Sequence, residues 1–145
     1  MKKLLLILLC LPFIFTSCSK QQGCTDSLAT NFNINAEEED GSCIYGIVGY
    51  WNISSISYQS ASQSTTIISD DDDALEFISE GILHEHTDNE LNVNEWIIIG
   101  DSLHIGENGE DFICKHDVTR NNLTLKGNIY NLSETTTMTV NASRN

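Results

Sequence analysis

Four side chains with nitrogen or sulfur donors are spaced so that strands would present them in pairs. His84 and His86 alternate, so in a strand they share one face. Cys114 and His116 do the same, on a face that also carries Phe112 and Val118 and reads as inward. Three imidazoles and a thiolate gathered together could hold a metal ion. Alternation along a strand does not say which strands lie side by side. His84 and His86 also read as surface residues near the acidic Glu85 and Glu90, with Cys114 a core cysteine, and on that reading no metal is held.

Oxygen donors are more plentiful. Asn31, Asn33 and Asn35 alternate, with Asp26 and Asp40 nearby, and oxygen ligands at alternating positions are what a calcium loop supplies. Ala36 stands where an EF-hand loop has glycine, and Ser42 where it has a bidentate glutamate, so the same residues also read as a polar loop of Asx turns. Calcium is the one cofactor the sequence suggests, and no cofactor is the simpler reading. "SDDDDALE", Ser69 to Glu76, sets four aspartates in a row. Such a run marks a solvated loop, or a cluster whose mutual repulsion a divalent cation would relieve. Catalysis finds no pattern: there is no Gly-x-Ser-x-Gly elbow, glycine-rich phosphate loop, His-Glu-x-x-His or Cys-x-x-Cys. Acidic residues are too common for any chosen carboxylate pair to mean much. The chain reads as a non-enzyme.

Location is written more plainly. Lys2 and Lys3 precede the apolar run "LLLILLCLPFIF", Leu4 to Phe15, which is the pattern of an export signal. As a helix those residues reach about 18 Å, short of the roughly 30 Å hydrocarbon core, so they do not read as a spanning anchor. Phe15-Thr16-Ser17-Cys18 resembles the lipobox of bacterial lipoproteins, whose cysteine is acylated and becomes the first mature residue; Phe15 departs from the usual leucine. The resemblance implies residues 1–17 as signal peptide, Cys18 as the lipidation site and a membrane attached through acyl chains. "SKQQ" after Cys18 lacks the aspartate of inner-membrane retention, which favours the outer membrane of a bacterial envelope.

Without residues 1–17, five basic residues face 21 acidic ones, a formal charge of −16. Such a surface repels nucleic acid and anionic lipid heads and favours cations, neutral ligands or basic proteins. With Cys18 lipidated, Cys24 and Cys43 are free to pair in an oxidising compartment, leaving Cys114 as a small buried hydrophobe. After a spacer, 18–22, the segment 23–46 is poor in apolar residues and needs a staple. A Cys24–Cys43 bridge would close a loop of about 20 residues and contribute around 3 kcal/mol in the chain-entropy model. Gly23-Cys24-Thr25-Asp26, Ala29-Thr30-Asn31-Phe32-Asn33, Asn35-Ala36 and Asp40-Gly41-Ser42-Cys43 resemble a small cysteine-bracketed module that recurs in exported bacterial proteins.

From residue 47 the texture is that of strands. "YWNISSISY" carries Trp51 and Ile53 on one parity but Ile56 and Tyr58 on the other, which predicts a bulge at Ser54 and Ser55. "STTIIS", "ALEFIS" and "ILHEHT" follow, the last two joined by a hairpin turn at Glu80-Gly81. "EWIII", "LHI", "DFICKHDVT", "LTLKGNI" and "TTTMTVNA" complete eight or nine short strands with close turns. The expectation is an all-β chain: an antiparallel up-and-down meander over 47–145 closing into a small barrel, behind a disulfide-stapled N-terminal segment.

Gly49-Tyr50-Trp51 opens the first long strand and Arg144 follows the last. A tryptophan early in a closing barrel, capped by a late arginine, resembles the lipocalin arrangement, and the ordered hairpins look like the lipocalin-like domains of small bacterial lipoproteins. The resemblance implies Gly49, Trp51 and Arg144 as a fold signature, with the guanidinium against the indole. It also implies an interior lined by Trp51, Ile53, Phe77, Trp96 and Phe112 on the first strands. Cys114, Leu123, Leu125, Met138 and Val140 would line it on the last. The domain is about 100 residues, shorter than a full lipocalin, and a small eight-stranded barrel can be filled by its own side chains. Two functions follow as expectations: a lipid-anchored envelope protein whose barrel binds a small apolar ligand, or a structural protein with a filled barrel acting through its acidic surface.

Overall fold

The structure is a computed structural model that describes residues 19–69, 72–87, 90–106, 112–129 and 135–144. Among them are eleven strands and no helix. The chain divides into two compact units, one holding residues up to Ser27 with Asn31–Cys43, the other Leu28–Thr30 with Ile44–Asn145. Cys18 and the residues before it lie outside the described part.

The N-terminal unit has almost no regular structure. β1 (Gln22–Gly23) and β2 (Glu38–Glu39) make one short parallel pair. The Cys24–Cys43 disulfide joins its two ends. Polar side chains do the work that a core would do elsewhere. Glu39 accepts bonds from the Thr25 N–H at 2.8 Å, the Thr25 hydroxyl at 2.9 Å and the Gly41 N–H at 2.9 Å.

The second unit takes in Leu28–Thr30 beside Ile44, and the Thr30 N–H and hydroxyl both donate to the Ile44 carbonyl, at 2.8 and 3.0 Å. Its strands are β3 (Gly49–Gln59), β4 (Ser64–Ile68), β5 (Ala74–Ile78), β6 (Ile82–Thr87), β7 (Glu90–Ile99), β8 (Ser102–Ile105), β9 (Phe112–Val118), β10 (Asn122–Ile129) and β11 (Thr136–Ser143). Neighbours in sequence pair antiparallel from β5 to β11, and β11 returns to pair with β3, which also pairs with β5. Eight strands therefore close into a barrel, the expected fold. β4 stands outside the ring. It pairs with the second half of β3, from Gln59↔Ser64 to Ser55↔Ile68, while β5 pairs with the first half. The aspartate run interrupts what would otherwise be one long strand.

The parity switch in β3 is a bulge. Asn141 pairs with Ser55 but Ala142 with Ile53, so Ser54 is the extra residue, and its hydroxyl bonds the Asn141 carbonyl at 2.9 Å. The bulge lets Trp51, Ile53 and Ile56 all face inward despite their spacing. β7 starts five residues before the expected "EWIII", because Asn92 and Asn94 break the apolar pattern of its first half without ending the strand.

The interior is a packed core. Trp51, Phe77, Leu83, Leu103, Leu123 and Leu125 are fully buried in one cluster. Each contributes on the order of 1.5–3 kcal/mol by leaving water. All ten interior positions read from the sequence belong to this cluster: Ile53, Cys114 and Val140 are buried with the others, and Trp96, Phe112 and Met138 pack against it partly buried. Leu75, Leu83, Leu103 and Ile105 are also buried in it, beyond the positions read from the sequence, together with Ile47 and Ala142.

Candidate functional site

The two ends of the barrel differ. At the end where β3 begins and β11 finishes, Trp51 donates its indole N–H to the Ile47 carbonyl at 2.7 Å. The Arg144 guanidinium lies 4.3 Å over the Trp51 ring, and its Nε donates to the Arg120 carbonyl at 2.6 Å. A Cβ on Gly49 would stand 3.6 Å from the same guanidinium. Gly49, Trp51 and Arg144 are thus in one place, and this end is sealed.

The other end carries the β3–β4 and β10–β11 connections. Here register puts Met138 opposite Tyr58, Val140 opposite Ile56, and Ile67 opposite Ile56 on its other side. Directly opposed residues share a face of the sheet, so Ile56, Ile67 and Met138 all turn inward. Phe112 opens β9 at the same end. Ile56, Phe112 and Met138 are only partly buried, and Ile67 is 52% exposed. The apolar side chains at this end are thus less covered than those of the core they pack against.

One wall of the barrel is polar. Leu83 is buried inward, so Glu85, two residues on, faces inward as well, opposite Asn92. Burial raises the Glu85 carboxyl above the usual range, and a hydrogen bond from the Asn94 side chain works against that shift. Although Glu85 lies between His84 and His86 in sequence, alternation sends it to the opposite face.

The histidine and cysteine pairs part company for the same reason. Cys114 and His116 face the interior, Cys114 across from Gly127 and His116 across from the buried Leu125. Burial pushes the Cys114 thiol up to about 12. His84 and His86 share a face as expected, but it is the outer one, and they meet Glu76 rather than the interior pair. Sequence reasoning missed Glu76. The signal was available: a turn centred on Glu80 reflects position 76 onto position 84.

In the N-terminal unit the calcium candidates are engaged in turns. Asn33 Oδ1 accepts the Asn35 N–H at 3.0 Å, Asp40 Oδ1 accepts the Ser42 N–H at 2.9 Å, and Asn31 donates its amide to the Ser42 carbonyl at 2.7 Å. Bonds from the Ser42 hydroxyl and N–H hold the Asp40 carboxyl below the usual range. The Asp26 backbone lies in the same loop.

Two depressions mark the outer wall. One, about 400 Å³, runs over β8 to β11 between Ser102, Lys115, Lys126 and Asn128. The other, about 280 Å³, is bordered by Tyr50, Asp72, His86 and Glu90. No known protein-family model matches the chain, and no curated protein matches it.

Proposed function

We propose that this chain is a lipid-anchored lipoprotein of the bacterial cell envelope, held at the outer membrane through Cys18, whose lipocalin-like barrel takes the apolar part of a small ligand into its open end. One observation carries the binding half of this reading: Ile56, Phe112, Met138 and Ile67 face inward above a filled base yet stay partly exposed. Inward-facing apolar side chains that the core leaves partly uncovered are the kind of lining a small apolar guest needs. Glu85 and Asn94 on the adjoining wall supply the few polar groups that would orient a guest bearing a donor. The anchor rests on the export signal and on Cys18 behind it.

The test is a titration with an uncharged fluorescent probe that carries an apolar tail and a hydroxyl donor. Saturable binding to the purified chain is expected, weakened at least about tenfold in Ile56→Trp and Met138→Trp, which add bulk at that end. Saturable binding left unchanged by both substitutions would overturn the site. The second reading is a filled barrel acting through its acidic surface, favoured by six large side chains that already occupy the base. Absence of any binding in the titration would select it. The anchor is tested separately: Cys18→Ala should abolish labelled palmitate incorporation and release the chain from the membrane fraction.

A further inference from the structure

We infer that Glu76, His84 and His86 form a binding site for a divalent transition cation on the outer wall of the barrel, apart from the open end. The three come from two hydrogen-bonded strands. Glu76 on β5 stands directly across from His84 on β6, and His86 is the next residue on the same face. Neither strand can slip without turning its whole buried face outward, so the three side chains are held in register.

The donor atoms already converge. Glu76 Oε2 is 3.0 Å from His84 Nδ1 and 3.9 Å from His86 Nε2, and all three lie within 4.8 Å of one another. Ligands bonded to zinc at about 2.0–2.1 Å in a tetrahedron stand roughly 3.3 Å apart. Those separations bracket that value, and small side-chain rotations close the difference. His86 Nε2 is shielded from solvent and has no hydrogen-bond partner among the described residues. A buried imidazole nitrogen without a partner is costly, and a metal would give it one. The surroundings leave that ring room to turn and give it an aromatic neighbour. Ala74, across from His86, is small, and the Tyr50 ring lies 5.6 Å from the imidazole.

The donor set names the class of ion. Two imidazoles and one carboxylate suit zinc, copper, nickel or ferrous iron, whereas calcium and magnesium take oxygen. Three protein ligands leave positions open to water. Asp72 and Glu90 border the same depression as His86 and add negative field, and an acidic chain concentrates cations at its surface.

The test uses the full chain, stripped with a chelator and titrated with zinc in excess calcium to occupy unspecific carboxylates. One zinc per chain is expected. Glu76→Gln, His84→Gln and His86→Gln should each weaken binding at least about tenfold, in line with losses from a metal shell. His104→Gln, on the outer face of β8, should leave it unchanged. Zinc should raise the melting temperature of the unsubstituted chain and of His104→Gln but not of the three ligand variants, a readout each variant's own metal-free melt calibrates. Substitution with cobalt should give a spectrum without a thiolate band. Zinc affinity unaltered in His84→Gln and His86→Gln, or a thiolate band lost in Cys114→Ala, would overturn the site.

Discussion

Arg144 closes the sealed end with one side chain, stacking on Trp51 and donating to Arg120. Lysine keeps the charge but loses the flat face and the fixed donor fork. Arg144→Lys should therefore lower stability by about 1 kcal/mol, read from a urea midpoint; an unchanged midpoint would show the stack to be idle. Cys114 makes a second prediction at this scale. Its thiol ionises only near 12 in the folded barrel, against 9.0 for an ordinary cysteine. Between those values the unfolded chain binds fewer protons, so stability falls as pH rises above about 9. Cys114→Ala should flatten that alkaline limb, and an aromatic disulfide reagent at neutral pH should label Cys114 only after unfolding.

At the scale of the strand, Gly127 sets how closely β9 and β10 approach. A Cβ there would collide with the Ile113 carbonyl and come within 2.7 Å of Cys114 Cβ. Gly127→Ala must push the strands apart and should cost about 1–3 kcal/mol in a thermal melt; a neutral result would mean the pair can separate freely. Strands are also where the sequence was most legible. β6 has the bounds read from "ILHEHT", and the parity switch at Ser54 announced its bulge, because a half-buried strand must keep its apolar residues on one side. The first half of β7 was hidden because its inward residues, Asn92 and Asn94, are polar. The grouping of Glu76 with His84 and His86 needed the register as well as alternation, and the turn at Glu80 carried that register. Cys114 and His116 repeat the spacing of His84 and His86, but their apolar neighbours Phe112 and Val118 already put them on the inner side of the wall.

The whole molecule joins two units held together by different physics. The barrel has a core; the N-terminal unit has a disulfide and a set of polar turns. Reduction should cost the N-terminal unit around 3 kcal/mol in the chain-entropy model and leave the barrel intact. Hydrogen exchange should then accelerate across residues 24–43 while the amides of β9 to β11 stay protected. Acceleration in both would show that the barrel depends on the staple.

A closed barrel has no loose margin, but β4 gives this one a margin again. It pairs with β3 alone, and among the described residues no strand lies along its other side. Its sequence, "STTII", is β-branched and uncharged, and Ile68 is 81% exposed. Such a segment invites copies of itself to stack into fibrils. The four aspartates that follow it act as gatekeepers, since each added copy would bring like charges together. Asp72→Asn with Asp73→Asn should shorten the lag before thioflavin fluorescence rises in a concentrated sample. On that view the acidic run keeps the chain from polymerising as well as separating β4 from β5.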